Sequence, residues 1–565
     1  MKDNFVAFSR NLIFFLICAT TVVSTLFFLP TTSEFFEFNK FTAFLGITIL
    51  GLLLWAARTV AEKRFGFTRT PLDIPILIIV ATFFVATLSS LDQFISFVGT
   101  QGRAWPSFFA MATVAAFYFM ATSNLKSKKQ VEVILWTLIG ATTIAAVIAT
   151  AAYFGAFLPF DFASLRSFNP LGVVTRLAQL ESFVLPITIA QALLAKNKNV
   201  RLVSLIFTII ASFSFILIGF IPSYIALAVG LIVLGVGLMK NKLDKTAQGA
   251  LATIVVFIVL FLTMRYVPQV AKGTIQAWIK APQDQGNSLN VIGELRLNNS
   301  VSWDIATQAI GKRPLFGTGL GTYAYAYTQL KPRVMNSTDQ WSVRFDKPSS
   351  DFAEILTTTG IFGALAYLIF AIVVLRFVWT LLFKSSQSGI YLPLAAAIVG
   401  FIASNFVSTS SLATVIPFFV GLVLLAILAK ATDENYVYDI TVEIATMKGK
   451  FSWFPIGTSN DLLKTNAEGK GAKSQVLPGL FLIVVLAASA FAARYQIAAY
   501  RGEYYFHQAA LATRSNNGSR TIAFLQQAIS ANPRVDSYHR NLSDITRTAA
   551  ITLSQNKDLT DNQKN

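Results

Sequence analysis

Residues 202–239 read LVSLIFTIIASFSFILIGFIPSYIALAVGLIVLGVGLM, without one charged side chain. About 20 apolar residues span a bilayer as a helix, and the Pro222-Ser223 step divides this stretch into two spans, 202–220 and 223–239. Outward from there the same pattern repeats at 11–30, 41–57, 74–90, 105–123, 133–157, 171–195, 248–266, 355–376, 390–409, 413–429 and 476–493. The predicted fold class is therefore all-α, a polytopic membrane helix bundle of about 13 spans with a large external loop and a small external helical tail. Span 11–30 exceeds a signal-peptide core and no A-x-A site follows it, so it reads as an uncleaved helix.

Composition agrees. Of 565 residues, 54 % are hydrophobic and 13 % charged, against about 25 % charged in soluble proteins. That excludes a soluble enzyme, a disordered chain and a disulfide scaffold. Cys18 is the single cysteine, so no disulfide forms and no ordinary cysteine zinc site exists. His507 and His539 are the two histidines, both near the C-terminus, which excludes histidine chemistry in the membrane-embedded part.

The net charge of +18 is mostly a topology signal. Lys2 and Arg10, then Arg58, Lys63, Arg64 and Arg69, then Lys126, Lys128 and Lys129 occupy alternate short loops, and the alternation continues to Arg376 and Lys384. The intervening short loops hold little beyond Lys40, Arg103 and Arg166. The positive-inside rule then puts the N-terminus in the cytoplasm of a multi-pass cell (plasma or inner) membrane protein. The membrane domain covers 1–430, with an external loop at about 267–354. A cytoplasmic linker at 431–475, the further span 476–493 and an external segment 494–565 follow. Nucleic acid is not expected as a partner.

The external loop is structured in character, with Trp278, Trp303, Phe316, Tyr323, Tyr325, Tyr327 and Trp341. Residues 294–310 carry a helical pattern in Leu297, Val301, Ile305 and Ala309, stopped by Gly311-Lys312-Arg313-Pro314. Gly317-x-Gly319-x-Gly321 lacks dinucleotide-fingerprint spacing. It reads either as a tight turn between helices or as a phosphate contact.

In order, Arg296-x6-Trp303-x2-Ala306-x3-Ile310-x3-Pro314-x-Phe316-Gly317-x-Gly319-x-Gly321-Thr322-Tyr323 resembles the external loop of the O-antigen ligase/polymerase (Wzy-type) superfamily. Glu354-Ile355-Leu356-x3-Gly360-Ile361-Phe362-Gly363 resembles the family's segment leading into the next span, and Ser167-Phe168-Asn169-Pro170-Leu171-Gly172 its Asn-Pro element. The resemblance covers about residues 11–430. It implies a GT-C-like bundle that transfers glycan from a polyprenyl-diphosphate carrier at the outer leaflet to a glycan, lipid or protein acceptor, inverting and without metal or other cofactor. Such chemistry needs cations for the diphosphate, a base for the acceptor hydroxyl and an apolar groove for the lipid tail.

Two departures fall on the catalytic centre. Where the family carries a His-Asn pair, this chain reads Pro348-Ser349-Ser350, and serine is no base near neutral pH. The Phe220-Ile221-Pro222-Ser223-Tyr224 junction lacks the family's arginine. Arg296 matches the family's diphosphate-proximal arginine; it also reads as an exposed residue at a helix start. Lys312, Arg313, Lys347 and Arg176 are further substrate-binding candidates, with Glu354 matching a family position one turn after Asp351. Glu181, inside span 171–195, is the catalytic candidate, because an ionisable group within a membrane helix is a functional hypothesis by default; it also reads as a structural hydrogen bond to a neighbouring helix. Counted from Leu171 at about 1.5 Å per residue, Arg176 lies roughly 8 Å and Glu181 roughly 15 Å below the external end.

In the tail, Thr521-x3-Leu525-x2-Ala528-x4-Pro533 with Leu542 and Ala509 resembles little more than one tetratricopeptide unit, or a plain helical hairpin. A lone unit must pack on the membrane domain, pair with a protein partner or be partly frayed. The leading function is a membrane glycan ligase or polymerase. A non-catalytic relative that binds lipid-linked glycan, or scaffolds surface-polysaccharide assembly, is the alternative. A transporter or flippase ranks last.

Overall fold

The computed structural model describes residues 2–239, 245–266, 295–385, 388–432, 436–442 and 476–555. The start of the external loop and most of the 431–475 linker therefore lie outside the described residues. Eighteen helices run in chain order: α1 (Lys2–Leu26), α2 (Glu37–Glu62), α3 (Asp73–Leu88), α4 (Gln93–Val98), α5 (Phe108–Asn124), α6 (Lys128–Tyr153), α7 (Val174–Leu194), α8 (Lys198–Ile218), α9 (Ile221–Leu238), α10 (Lys245–Tyr266), α11 (Asn299–Lys312), α12 (Tyr323–Leu330), α13 (Asp351–Phe383), α14 (Ser388–Ser404), α15 (Leu412–Ala431), α16 (Val476–Arg514), α17 (Gly518–Ala531) and α18 (Asp536–Gln555). Among the described residues nine helices are long and apolar enough to cross a membrane, and four shorter apolar ones join them. Together they account one for one for the thirteen predicted spans. The chain is an all-α polytopic membrane protein.

Helix α15 is the axis of the bundle. It is apolar all round, and Leu412 through Ala429 are buried without exception, as a helix with no polar face requires. Helices α1, α2, α5, α6, α7 and α14 pack around it. Helix α7 is nearly as enclosed, while α9 and α16 lie at the periphery.

The connections sort to two ends. At one end β1 (Phe65–Arg69), after α2, pairs antiparallel with β2 (Tyr438–Val442), after α15. Thr68 and Lys430 both bond the Asp439 carboxylate there, Thr68 at 2.6 Å and Lys430 at 2.5 Å. At the other end, the loop face, the segments following α1, α3, α6, α8 and α14 meet residues 295–350.

The loop is fastened to the bundle by a defect in α13. Gly360 has φ 65° and ψ −160°, inside what is otherwise a continuous helix. That break orphans backbone groups on both sides, which cannot remain unpaired at membrane depth. The Gly317-Gly319-Gly321 segment supplies the partners. Thr318 N donates to Thr357 O (3.2 Å) and Gly319 N to Thr358 O (2.8 Å), while Ile361 N donates to Pro314 O (2.9 Å). A Cβ on Gly317 would stand 2.6 Å from Thr357 O, and one on Gly319 would collide with the Ser90 hydroxyl. The glycine segment is thus a tight turn seated on α13, not an open phosphate cradle.

The tail is not frayed. α16 runs unbroken through the expected boundary at 493/494, and Leu525, Ala528 and Tyr538 are buried where α17 and α18 fold back.

Gly360→Ala places a side chain in a glycine-only backbone region and 2.6 Å from Leu315 O. It should cost about 1–3 kcal/mol, read as a lower thermal midpoint of the solubilised protein. Gly311→Ala, whose added methyl meets nothing within 4 Å, should not. Equal midpoints would remove the break from its fastening role.

Candidate active site

Helix α13 starts at the loop face with Ser350 as its N-cap, the hydroxyl accepting from Ala353 N at 3.3 Å. Asp351 follows in the first turn. Its carboxylate accepts from Ser410 N at 2.9 and 3.0 Å and from Ser410 Oγ at 2.6 Å, which pins the α14–α15 connection to the head of α13. Lys347 Nζ reaches the Ser410 carbonyl at 3.4 Å. Ser410 therefore sits between an acid and a base.

Two cavities lie on either side of this point, one lined by Ser410 and the other by Ser411 and Lys347. The first holds about 720 Å³ of open space and is apolar, walled by Phe83, Trp105, Met111, Phe401 and Phe418, with Asp351 and Glu354 on its rim. Glu354 is buried, and among the described residues its carboxylate accepts no hydrogen bond. The second, of about 800 Å³, is polar and lined by Lys40, Arg103, Arg176 and Lys347 with Glu37 and Asp346. Its cations arrive from four separate parts of the chain. Arg103 pairs with Asp346 at 2.5 Å and with Glu37 at 3.9 Å. Lys40 is tied to the carbonyls of Phe27 (2.7 Å) and Pro170 (2.5 Å). Arg176 bonds Thr409 through its carbonyl and, at 3.2 and 3.3 Å, its hydroxyl.

Burial and then the Arg103 charge hold the Lys347 ammonium below the ordinary lysine range, with Arg176 adding to this and Glu37 and Glu354 opposing it. A cation so crowded by other cations gains when an anion joins it.

The expected site residues divide into three groups. Arg176, Lys347 and Glu354 are brought together. Because α7 begins at Val174, Arg176 stands in the first turn, at the mouth of the bundle rather than the depth counted from Leu171.

Arg296 lies just ahead of α11 and lines none of the cavities described. Its guanidinium bonds the carbonyls of Ser349 and Val407 and lies 5.6 Å over the Phe220 ring. It staples the loop to two membrane connections, and burial followed by the Arg176 charge works against its own ionisation. Lys312 and Arg313 are exposed at the end of α11, where Arg313 bonds Ser89 O at 3.3 Å.

Glu181 is completely buried two turns into α7. Neither carboxyl oxygen makes a geometrically complete hydrogen bond, although the Ser214 hydroxyl of α8 lies against it. It lines neither cavity.

Ser349 and Ser350, which stand where the resemblance expects His-Asn, also separate. Ser350 caps α13, and the buried Ser349 hydroxyl has no hydrogen-bond partner. Sequence reading missed Arg103, Lys40 and Glu37 as site residues. Their one legible signal was charge on the sparse side of the loop alternation.

No curated protein matches the chain. Residues 202–368, from α8 through the broken head of α13, match the family model described as O-antigen ligase. That stretch holds Arg296, Lys347, Asp351 and Glu354 but not Arg103, Arg176 or Ser410, and over it the chain is similar to the O-antigen ligase family.

Proposed function

We propose that the protein is a membrane glycan ligase or polymerase that uses a polyprenyl-diphosphate donor, with the loop face and the tail outside, the N-terminus in the cytoplasm and the reaction at the outer leaflet. The observation that carries this reading is an apolar cavity lined by the Glu354 carboxylate beside a cationic cavity, the two separated by Ser410 and Ser411 at the head of α13. Lys347, Arg176 and Arg103 are placed to hold the diphosphate. Glu354, with no hydrogen bond to satisfy, takes the proton of the acceptor hydroxyl. The hydroxyl oxygen attacks the anomeric carbon as its bond to the diphosphate oxygen breaks, the configuration inverts, and the polyprenyl diphosphate departs with its charge against the cations. Asp351 is a positioning residue, since Ser410 already occupies its carboxylate.

A second reading, a non-catalytic relative that binds lipid-linked glycan, is favoured by Arg296, whose bonds are spent on two carbonyls. Glu354 separates the two. In the catalytic reading Glu354→Gln removes a general base and lowers transfer by about 10²–10⁴-fold while lipid-linked donor still binds. Glu181→Gln leaves transfer near the parent level at equal protein abundance. Normal transfer by Glu354→Gln, or loss in Glu181→Gln alone, would move the base elsewhere.

Lys347 gives a pH dependence. Its ammonium is held below the usual lysine range, so it loses its charge at lower pH than an ordinary lysine. Diphosphate affinity should therefore weaken as pH rises through that depressed value. Lys347→Arg, which stays charged, should flatten the profile. Pyrophosphate binding to the solubilised protein measures both.

A further inference from the structure

The tail meets the loop face through polar contacts and through ring pairs such as Phe35–His507 and Phe38–Tyr500, and it leaves a crevice of about 1320 Å³ beside them. Tyr538 Oη donates to Glu503 at 2.8 Å, Ser33 bonds the same carboxylate, and Ser537 bonds Gln101. Gln496 donates to Thr42 at 2.7 Å. A seam made of such contacts holds two bodies together without filling the volume between them.

The crevice wall is built in a particular way. Arg344 lies over the Tyr325 ring at 5.9 Å and Arg534 over the Phe94 ring at 5.6 Å. Arg540 lines the same space. None of the three makes an ion pair among the described residues. Two of the crevice's acids are engaged: Asp92 accepts from Ile95 N at 3.0 Å as the cap of α4, and Glu503 holds Tyr538 and Ser33. The wall thus presents flat apolar rings, each with a guanidinium on its face and open hydrogen-bonding edges. Rings of this kind pack against the C–H faces of sugars, and guanidinium forks match carboxylates.

The crevice adjoins the cationic cavity. Thr100, Gln101, Gly102 and Arg103 line both. Gly102 has φ +72°, and a Cβ there would stand 2.8 Å from Glu34 Cβ, so the passage is kept narrow in side chains at its threshold.

We infer that this crevice binds an oligosaccharide bearing carboxylate groups and feeds it to the reaction centre. The inference rests on the glycan-transfer reading for the direction of feeding, but the binding it asserts does not require catalysis.

Calorimetry on the full chain in nanodiscs tests it with tetragalacturonate, neutral maltotetraose and inorganic pyrophosphate. Tetragalacturonate should bind and maltotetraose only weakly. The paired variant Arg344→Gln/Arg534→Gln, at two exposed positions, should weaken tetragalacturonate at least about tenfold and leave pyrophosphate unchanged, which also reports intact folding. Lys347→Ala should do the reverse. No tetragalacturonate binding, equal binding of the neutral sugar, or indifference to the paired variant overturns the inference. Pyrophosphate indifferent to Lys347→Ala counts against the transfer reading instead. Competition identifies the source of the glycan. Displacement by a polyprenyl-diphosphate-linked acidic glycan, but not by polyprenyl diphosphate alone, assigns the crevice to the donor's sugars, whereas simultaneous binding assigns it to the acceptor.

Discussion

The backbone break at Gly360 is the constraint on which the loop face depends. A transmembrane helix satisfies its own amides and carbonyls, and a break inside it survives only where another segment pairs with the freed groups. Here residues 314–319 do so, and the φ values of +65° at Gly317 and +107° at Gly319 let the backbone come that close. The consequence extends beyond the turn. Helix α11 ends just before the paired segment and α12 begins just after it, so the small loop core of Val301, Ile305, Tyr323 and Tyr327 is held over the head of α13. The same pairing fixes Ser90 and Ser96 of the α3–α4 corner, whose hydroxyls reach Thr318 O and Leu320 O. The apolar cavity therefore has a roof as well as walls.

The charge pattern follows from that roof. Cations in a partly dry cavity repel one another more than on a surface, because water screens them less. Arg103 is placed by its pairs with Asp346 and Glu37, while Lys40, Arg176 and Lys347 bond carbonyls and hydroxyls of other connections. A site so built is pre-strained toward an anion. The neighbouring cavity, with aromatic and aliphatic walls, has the opposite preference, and Ser410 with Asp351 forms the partition between them.

Much of the fold was legible because each span is a local signal. An unbroken apolar run such as 202–239 needs no knowledge of its neighbours, and the lysine and arginine alternation orders the runs. What was illegible is long-range. Nothing in Phe65–Arg69 announces a partner at Tyr438–Val442, and nothing near Arg103 announces Asp346. The depth of Arg176 was misjudged because Leu171–Val173 are apolar yet precede the helix. Arg296 was singled out by its motif position, but motif position carries no information about which acceptors its guanidinium finds. Gly360 was quoted as a family feature, and its meaning as a helix break appeared only with the pairing of residues 314–319.

The serine pair in place of the family's His-Asn then acquires a physical interpretation. Ser350 serves the helix it begins. Ser349 contributes its backbone, the amide donating to Ser302 at 3.0 Å and the carbonyl accepting from Arg296. Neither hydroxyl faces the partition between the cavities in a bonding role. A buried carboxylate without a hydrogen-bond donor, by contrast, is costly unless nearby charge compensates it, and a fold gains nothing structural from keeping one. Glu354 is such a group, one turn below Asp351 and under the field of Lys347. An apolar residue at that position would spare an inert scaffold this cost. Glu181 in α7 is also buried without a complete hydrogen bond among the described residues, so the cost alone does not mark a site; Glu354 is set apart because it lines a cavity and lies in the field of Lys347.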